Sequence, residues 1–567
     1  LNPTFAHVAV PLASTFMLST KAGKEAYVAP VISGDSYRFT VRVGKPKDPE
    51  AAKRGTKSGG SHSSFLCLIS GTPMPFEYLR SEARAQRMGS RLMAVVVEGD
   101  RGRVYLSPTP EMEAVALGAS PSWKPEVEIS HWPGRTNVVE YGLTRFGDLF
   151  TPRQLVALTT FSDLVLEARE RVRADARAAG LPVDGRSLDD GGAGAAAYAD
   201  AVAVYLGIGV SRLSNRSATL NFWDTKGENI QQVFARQALP MTWDFVEGNP
   251  ISTSTGNFLG QLEYLVNAVM NLPQSGVGYA IQQDAQTQSL SGLKVLSTDP
   301  PYFDNIGYAD LSDFFYIWLR RSLRFIYPLQ FATLAVPKSE ELVATPYRHG
   351  SKEQAQTFFL NGMTQAMHRL ATQVHPAFPT SIYYAFKQSE AESEGTASTG
   401  WETFLDAVIR AGFAITGTWP VRTEYTGNLK KDVSALASSI VLVCRPRPAD
   451  APTATRREFL SALKSELPQA VRDLQRGNIA PVDLAQAAIG PGMAVYTRYA
   501  RVLDAAGRPL TVRDALALIN QTLDEIMAEQ EGDFDADTRW ALAWFEQSGF
   551  TAGEFGVAET LSKAKNT

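Results

Sequence analysis

From about Gly256 to Pro448 the chain alternates short apolar runs with amphipathic stretches, and this alternation limits the possible folds more than any other feature. Strand-like runs fall at Gly278–Gln282, Leu293–Ser297, Thr380–Phe386, Ala414–Thr418 and Ser438–Cys444. Helical spacing marks Phe258–Leu272, Leu311–Ile326, Gln354–Val374 and Trp401–Ala411. Strands joined through helices pair in parallel, because a helix carries the chain back to the start of the sheet. The expected fold class is therefore α/β, with these elements forming the second half of a doubly wound sheet.

The rest of the chain reads differently. With 567 residues, 44% of them hydrophobic, it can bury more than one core. Apolar positions at Phe5, Val8, Leu12 and Phe16 predict a helix from Thr4 to about Thr20. Between about Ala26 and Leu106 short alternating runs such as Tyr37–Val43 predict a β-rich module, interrupted by an exposed Lys-, Gly- and Ser-rich loop from Lys45 to His62. Thr151-Pro152 is an N-cap and first-turn pair for a helix from Phe150 to about Ala179, and an Ala-rich helix resumes from Ala195 to Val210. Beyond Pro448 the pattern is helical. Five regions follow: 1–25 as the start of a catalytic domain, 26–149 as a β-rich insertion suited to target recognition, 150–255 as a helical insertion, 256–448 as the catalytic domain, and 449–567 as a helical C-terminal region.

A net charge of -4 with 20% charged residues excludes a polybasic, histone-like chain and leaves any nucleic-acid contact to local patches. Two cysteines, Cys67 and Cys444, exclude a disulfide framework and are too few for a Cys-based zinc site; a buried thiol is the expectation for Cys67. The six histidines are scattered singly, so no metal is expected. No apolar run reaches about 18 residues and no export signal is visible, which points to the cytoplasm without a membrane partner.

The segment Asp299-Pro300-Pro301-Tyr302 follows an apolar run, and open α/β sheets bind ligands at the carboxyl ends of their strands. These residue types suit chemistry on an exocyclic amine, whose lone pair is delocalised into the ring. The Asp299 carboxylate accepting one N–H and the Pro300 carbonyl accepting the other would draw the nitrogen towards tetrahedral geometry. The two prolines hold that carbonyl in place, and Tyr302 offers a ring on which a withdrawn base can stack. The competing reading is a turn in which Asp299 caps and Pro300-Pro301 stiffens.

Asp284, at the end of the run before, could accept the amino group of an adenosyl moiety, or cap a turn. Arg80, Arg84, Arg87 and Arg91 recur at helical spacing and would present four cations to DNA phosphates, unless they form a solvated face paired with Glu77 and Glu82. Arg320 and Arg321 (with Arg324 beyond them) follow the Asp299 loop on a helix and could grip the flanking backbone, or be surface charges. Gly191–Gly194 and Gly207–Gly209 read as a turn and a helix-packing site. Trp243-Asp244-Phe245 could border the site, without an assigned role.

The run Ser297–Phe315, together with Phe146–Gln154, Arg236–Met241 and Gly490–Val495, resembles a family of large bacterial adenine-specific DNA methylases, several of which sit among antiphage defence genes. The resemblance implies a Rossmann-like methyltransferase sheet with a large mixed α+β insertion, S-adenosyl-L-methionine as cofactor, double-stranded DNA as partner, adenine N6 as acceptor and Asp299 to Tyr302 as the catalytic motif. It also implies a Gly-rich methionine-binding loop and a strand ending in an acidic residue followed by Asn-Pro. Here that pair is Asn2-Pro3, so the loop and the acid are expected upstream of Leu1, the chain reading as an internal fragment. Cytosine N4 is the nearest competing acceptor. A different class of function is a non-catalytic nucleic-acid-binding subunit working with defence-system partner proteins.

Overall fold

The computed structural model describes residues 9–58, 64–100, 102–272, 276, 278–303, 306–384, 399–422, 438–476, 481–531, 535–550, 552–553 and 555–565. The chain is mixed α/β and divides into two compact units, one comprising 1–279 and 308–338 and the other 280–307 and 339–567.

In the first unit the principal elements are strands β1 (Met17–Ser19), β2 (Ala26–Ser33), β3 (Ser36–Val43), β4 (Val95–Gly99) and β5 (Gly102–Leu106). The helices are α1 (Phe76–Arg84), α2 (Pro152–Ala178), α3 (Ala195–Ser214), α4 (Phe258–Asn271) and α5 (Tyr308–Leu323). The helix expected up to Thr20 is not formed among the described residues. Met17 and Ser19 pair instead with Tyr27 and Ala26 of β2, and Phe16 and Leu18 enter a small core with Val28 and Phe39. Pairing to β2 outweighed the four-residue spacing, which two apolar positions in a strand also satisfy. The β2–β3 hairpin runs in unbroken register from Ala26↔Val43 to Ser33↔Ser36.

Local signals fixed the long helices. Thr151 accepts a hydrogen bond from the Gln154 amide while the Gln154 side chain accepts from the Thr151 amide, a reciprocal cap that starts α2 where Pro152 is also favoured. A Cβ on Gly207 would lie 2.7 Å from Leu323 of α5, and one on Gly209 2.6 Å from Leu262 of α4, so both glycines admit close helix packing. Phe150, Phe314 and Trp318 complete that helical core, with Phe150 stacked on Phe314 at 5.6 Å.

The second unit holds strands β6 (Ser297–Thr298), β7 (Thr380–Tyr384), β8 (Phe413–Arg422) and β9 (Ser438–Pro446), in spatial order β6-β7-β9-β8. β6 runs parallel to β7, whereas β9 is antiparallel to both of its neighbours. Its longer helices are α6 (Lys352–Gln373), α7 (Thr399–Arg410), α8 (Arg456–Arg476), α9 (Pro481–Thr497), α10 (Val512–Glu531), α11 (Ala536–Ser548) and α12 (Phe555–Lys565). Ile382, Tyr384, Ile415, Leu442 and Cys444 turn one sheet face into a core shared with Phe359 of α6, Phe404 of α7, Phe459 of α8, Met493 of α9 and Ile519 of α10. On the other face the register neighbours Tyr383, Val441 and Trp419 form a row in which Trp419 remains 64% exposed. β6 has a strand neighbour on one side only among the described residues.

Two expectations change here. The run Gly278–Gln282 forms no strand, and Leu293–Ser297 contributes strand geometry only at Ser297–Thr298, where β7 lies alongside. Apolar runs become strands only where a partner backbone reaches them. No helix among the described residues is long and apolar enough to cross a membrane.

Candidate active site

β6 delivers the chain directly into Asp299. Register pairing places Thr298 beside Ile382 of β7, so Asp299 emerges at the carboxyl end of two parallel strands. The loop beyond is held from both sides. The Phe303 amide donates to the Tyr384 hydroxyl at 3.1 Å, and the Ala344 amide donates to the Phe303 carbonyl at 2.6 Å. Tyr384 is itself immobilised, fully buried and stacked on Phe404 with ring centroids 3.9 Å apart. Phe303 also packs edge-on against Phe359. The loop is therefore anchored to α6 and α7 through its last residue, which leaves the first three to face a cleft.

That cleft measures about 430 Å3 and is lined by Asp299, Pro300 and Pro301, by Ser297 and Thr298, and by Gln283 and Gln288 from the preceding segment. Its apolar wall is Leu290, Leu296, Leu342, Met363, Met367 and Leu370. A space of this size with an apolar wall and few polar groups suits a ring-sized ligand. Asp299 is exposed, while Pro300 is buried. No hydrogen bond or ion pair of the Asp299 carboxylate occurs among the described residues, and partial burial pushes its pKa above the ordinary Asp value. Tyr302 is half-buried, rests edge-on against Tyr384 at 5.5 Å and does not line the cleft. The Met363 and Met367 wall was not anticipated; their four-residue spacing on α6 is the signal that could have revealed it.

The other expected site residues separate into distinct places. Asp284 closes a local turn: its Oδ1 accepts from the Gln286 amide at 2.9 Å and its carbonyl from the Gln288 amide at 3.0 Å. It does not line the cleft, although Gln283 and Ala285 on either side do. Of its two readings, the turn is the one formed, since the strand that would have aimed it is absent. Asn2 and Pro3 lie outside the described residues.

The four arginines do not form one helical face. α1 ends at Arg84, and Gln86 adopts a left-handed φ of 57°, so Arg87 and Arg91 lie beyond the helix. Arg80 pairs with Glu140 at 2.6 Å, Arg87 with Glu82 at 2.7 Å, and Arg91 with Glu113 at 2.7 Å while lying over the Tyr37 ring. Arg84 alone of the four has no ion pair among the described residues. Arg321 binds Asp163 at 2.7 Å and covers the Trp123 ring, and Arg320 donates to the Thr333 carbonyl at 2.8 Å. Trp243 packs against Phe65 and Tyr141, and Asp244 accepts from the Thr15 amide, in the first unit. Cys67 is half-buried rather than fully buried. Among the described residues no group of three or more His, Cys, Asp or Glu gathers as a metal site would require.

Comparison with known proteins touches only the C-terminus. A family described as a domain of unknown function (DUF8807) matches residues 535–567, which carry α11 and α12 and no part of the cleft. No curated protein and no solved structure matches the chain.

Proposed function

We propose that the second unit is the base-handling part of an S-adenosyl-L-methionine-dependent DNA methyltransferase acting on an exocyclic amino group, adenine N6 before cytosine N4. One observation carries the reading: Asp299, without a partner among the described residues, stands at the carboxyl end of a parallel strand pair and faces a cleft with an apolar wall. The sheet is read as the second half of a doubly wound methyltransferase fold, in which a further strand beside β6 would complete the crevice at the reversal of strand order.

In this reading the Asp299 carboxylate accepts one N–H of the target amine and the Pro300 carbonyl accepts the other. Both favour a pyramidal nitrogen, whose lone pair is then available for attack. Because Pro300 and Pro301 have fixed φ angles and Phe303 is tied down on both sides, the acceptors are aimed before the base arrives, which lowers the cost of alignment. Leu290, Leu296, Met363 and Met367 exclude water from the ring. When bound, the cofactor supplies an electrophilic methyl group. Gln283 and Gln288, in the same lining, would offer it donors and acceptors. A family setting in restriction-modification or phage defence accompanies the reading.

The test follows methyl transfer from isotopically labelled cofactor to duplex DNA, with modified bases mapped at single-nucleotide resolution. Asp299→Ala is expected to reduce transfer by at least about a hundredfold, the scale of losing one transition-state acceptor, while DNA affinity stays within about twofold. Equal loss of both would remove the role assigned to Asp299. Modified cytosine would replace the acceptor.

A further inference from the structure

The cations expected to meet phosphates are mostly paired within the first unit, and a second concentration of positive charge lies elsewhere in it. Residues 21–57 hold nine Lys and Arg against four Asp and Glu, in a chain whose net charge is -4. The centre of that region is the β2–β3 hairpin. Its register puts Val31 beside Arg38, Ala29 beside Thr40 and Tyr27 beside Arg42, so these six residues share one sheet face. The opposite face is spent on the core, through Val28, Phe39 and Val41. Arg38 and Arg42 are exposed, as are Lys45 and Lys47 just after the hairpin, and none of the four makes an ion pair among the described residues.

We infer that this face of the β2–β3 ribbon is a contact surface for duplex DNA, with Arg38 and Arg42 on phosphates and their cross-strand neighbours Val31 and Tyr27 beside them. The inference rests on the reading of the second unit as a DNA-modifying enzyme and names where its substrate is held. Three features favour a duplex. Beyond Tyr27, where pairing with β1 stops, β2 and β3 form a two-stranded antiparallel ribbon, which has the width to enter the major groove. Arg38 and Arg42, four residues apart on one strand, are separated by about 14 Å, comparable with the roughly 12 Å groove between the two phosphate walls. Arginines without an internal carboxylate partner can meet phosphates without breaking an ion pair, and the counterions then released drive such binding.

Binding of the full chain to a fluorescently labelled duplex, followed by anisotropy across a salt series, tests this. Arg38→Glu with Arg42→Glu is expected to weaken binding roughly tenfold or more and to lower the salt slope by about two. The milder pair Arg38→Gln with Arg42→Gln carries the test if the charge reversals alter the melting curve. Arg171→Glu with Arg173→Glu, the same charge change on α2, is expected to leave the salt slope unchanged. Unchanged affinity in the ribbon variants, equal losses in the α2 control, equal binding to single-stranded RNA, or no duplex binding by the unaltered chain would each overturn the assignment. Ribbon-dependent binding without methyl transfer, in a form extended upstream to carry the expected methionine-binding loop, would instead sink the enzyme reading and leave the ribbon in place. Methyl transfer indifferent to the ribbon variants would do the reverse.

Discussion

Burial raises the Asp299 pKa because no neighbouring cation or donor among the described residues offsets the lost hydration. Its folded value exceeds the unfolded one, so the associated stability is fully present below the unfolded pKa and is lost as pH rises through the folded value. Activity runs the opposite way, since the charged carboxylate accepts an N–H from the base more strongly than the protonated acid does. Methyl transfer should therefore fall as pH drops through the raised folded pKa, and the acid limb of the kcat/KM profile should lie above the free-Asp value of about 3.9. An acid limb at or below that value would contradict the geometry described for the cleft. The place of Asp299 at a strand end was legible in the sequence because a loop of Asp and two prolines after an apolar run restricts what the backbone can do. Asp284 was not, because a turn aspartate and a ligand-facing one look alike until the neighbouring strand is seen to form or fail. The arginines misled for a related reason: spacing locates a helical face only while the helix lasts, and α1 stops at Arg84.

Among the elements, α9 and β8 show how tightly the second unit is packed. A Cβ on Gly490 would lie 2.0 Å from the Thr418 Oγ1, whose hydroxyl is buried and donates to the Ala487 carbonyl at 2.8 Å. Gly→Ala in a helix ordinarily gains about 0.5–1 kcal/mol, but forcing a methyl against a buried, hydrogen-bonded hydroxyl costs about 1–3 kcal/mol. Overpacking should win, so Gly490→Ala is expected to lower stability by about 1–2 kcal/mol in denaturant titration, and a stabilising effect would show that the contact relaxes freely. Long helices were readable because their signals are local, as the Thr151 cap on α2 shows. Strands were readable only in part. β7, β8 and β9 coincide with the apolar runs at Thr380, Ala414 and Ser438, whereas Gly278–Gln282 has the composition of a strand without a backbone to pair with. The β1 segment was misread as helix because its partner, β2, lies in a different part of the sequence pattern.

At the scale of the molecule, each unit has a core of its own, the second built from Phe359, Phe404, Phe413 and Phe459 and the first from separate clusters around Phe39 and elsewhere. Cooperative unfolding follows cores, so calorimetry should give more than one transition, with a van't Hoff enthalpy below the calorimetric one. A single two-state transition would mean that the units are coupled through more than the chain joining them. The sequence pattern assigned α4 and α5 to the sheet-bearing domain because they flank its strands in order. They pack instead with α2 and α3, through Leu262 against Gly209 and Leu323 against Gly207, contacts that no local signal announces. The chain thus passes between the units three times, near residues 279, 307 and 338. For protein engineering this has a practical meaning. Cutting once at either side of the Asp299 segment cannot yield an independent cleft-bearing piece: a fragment starting at Ser339 discards β6 and its loop, and one starting at Ala280 retains α5 without the helices that bury it. Isolating the cleft calls for excising 308–338 and splicing the ends, so gradual shortening of the protein from its N-terminus, in the laboratory or in descent, meets a barrier there.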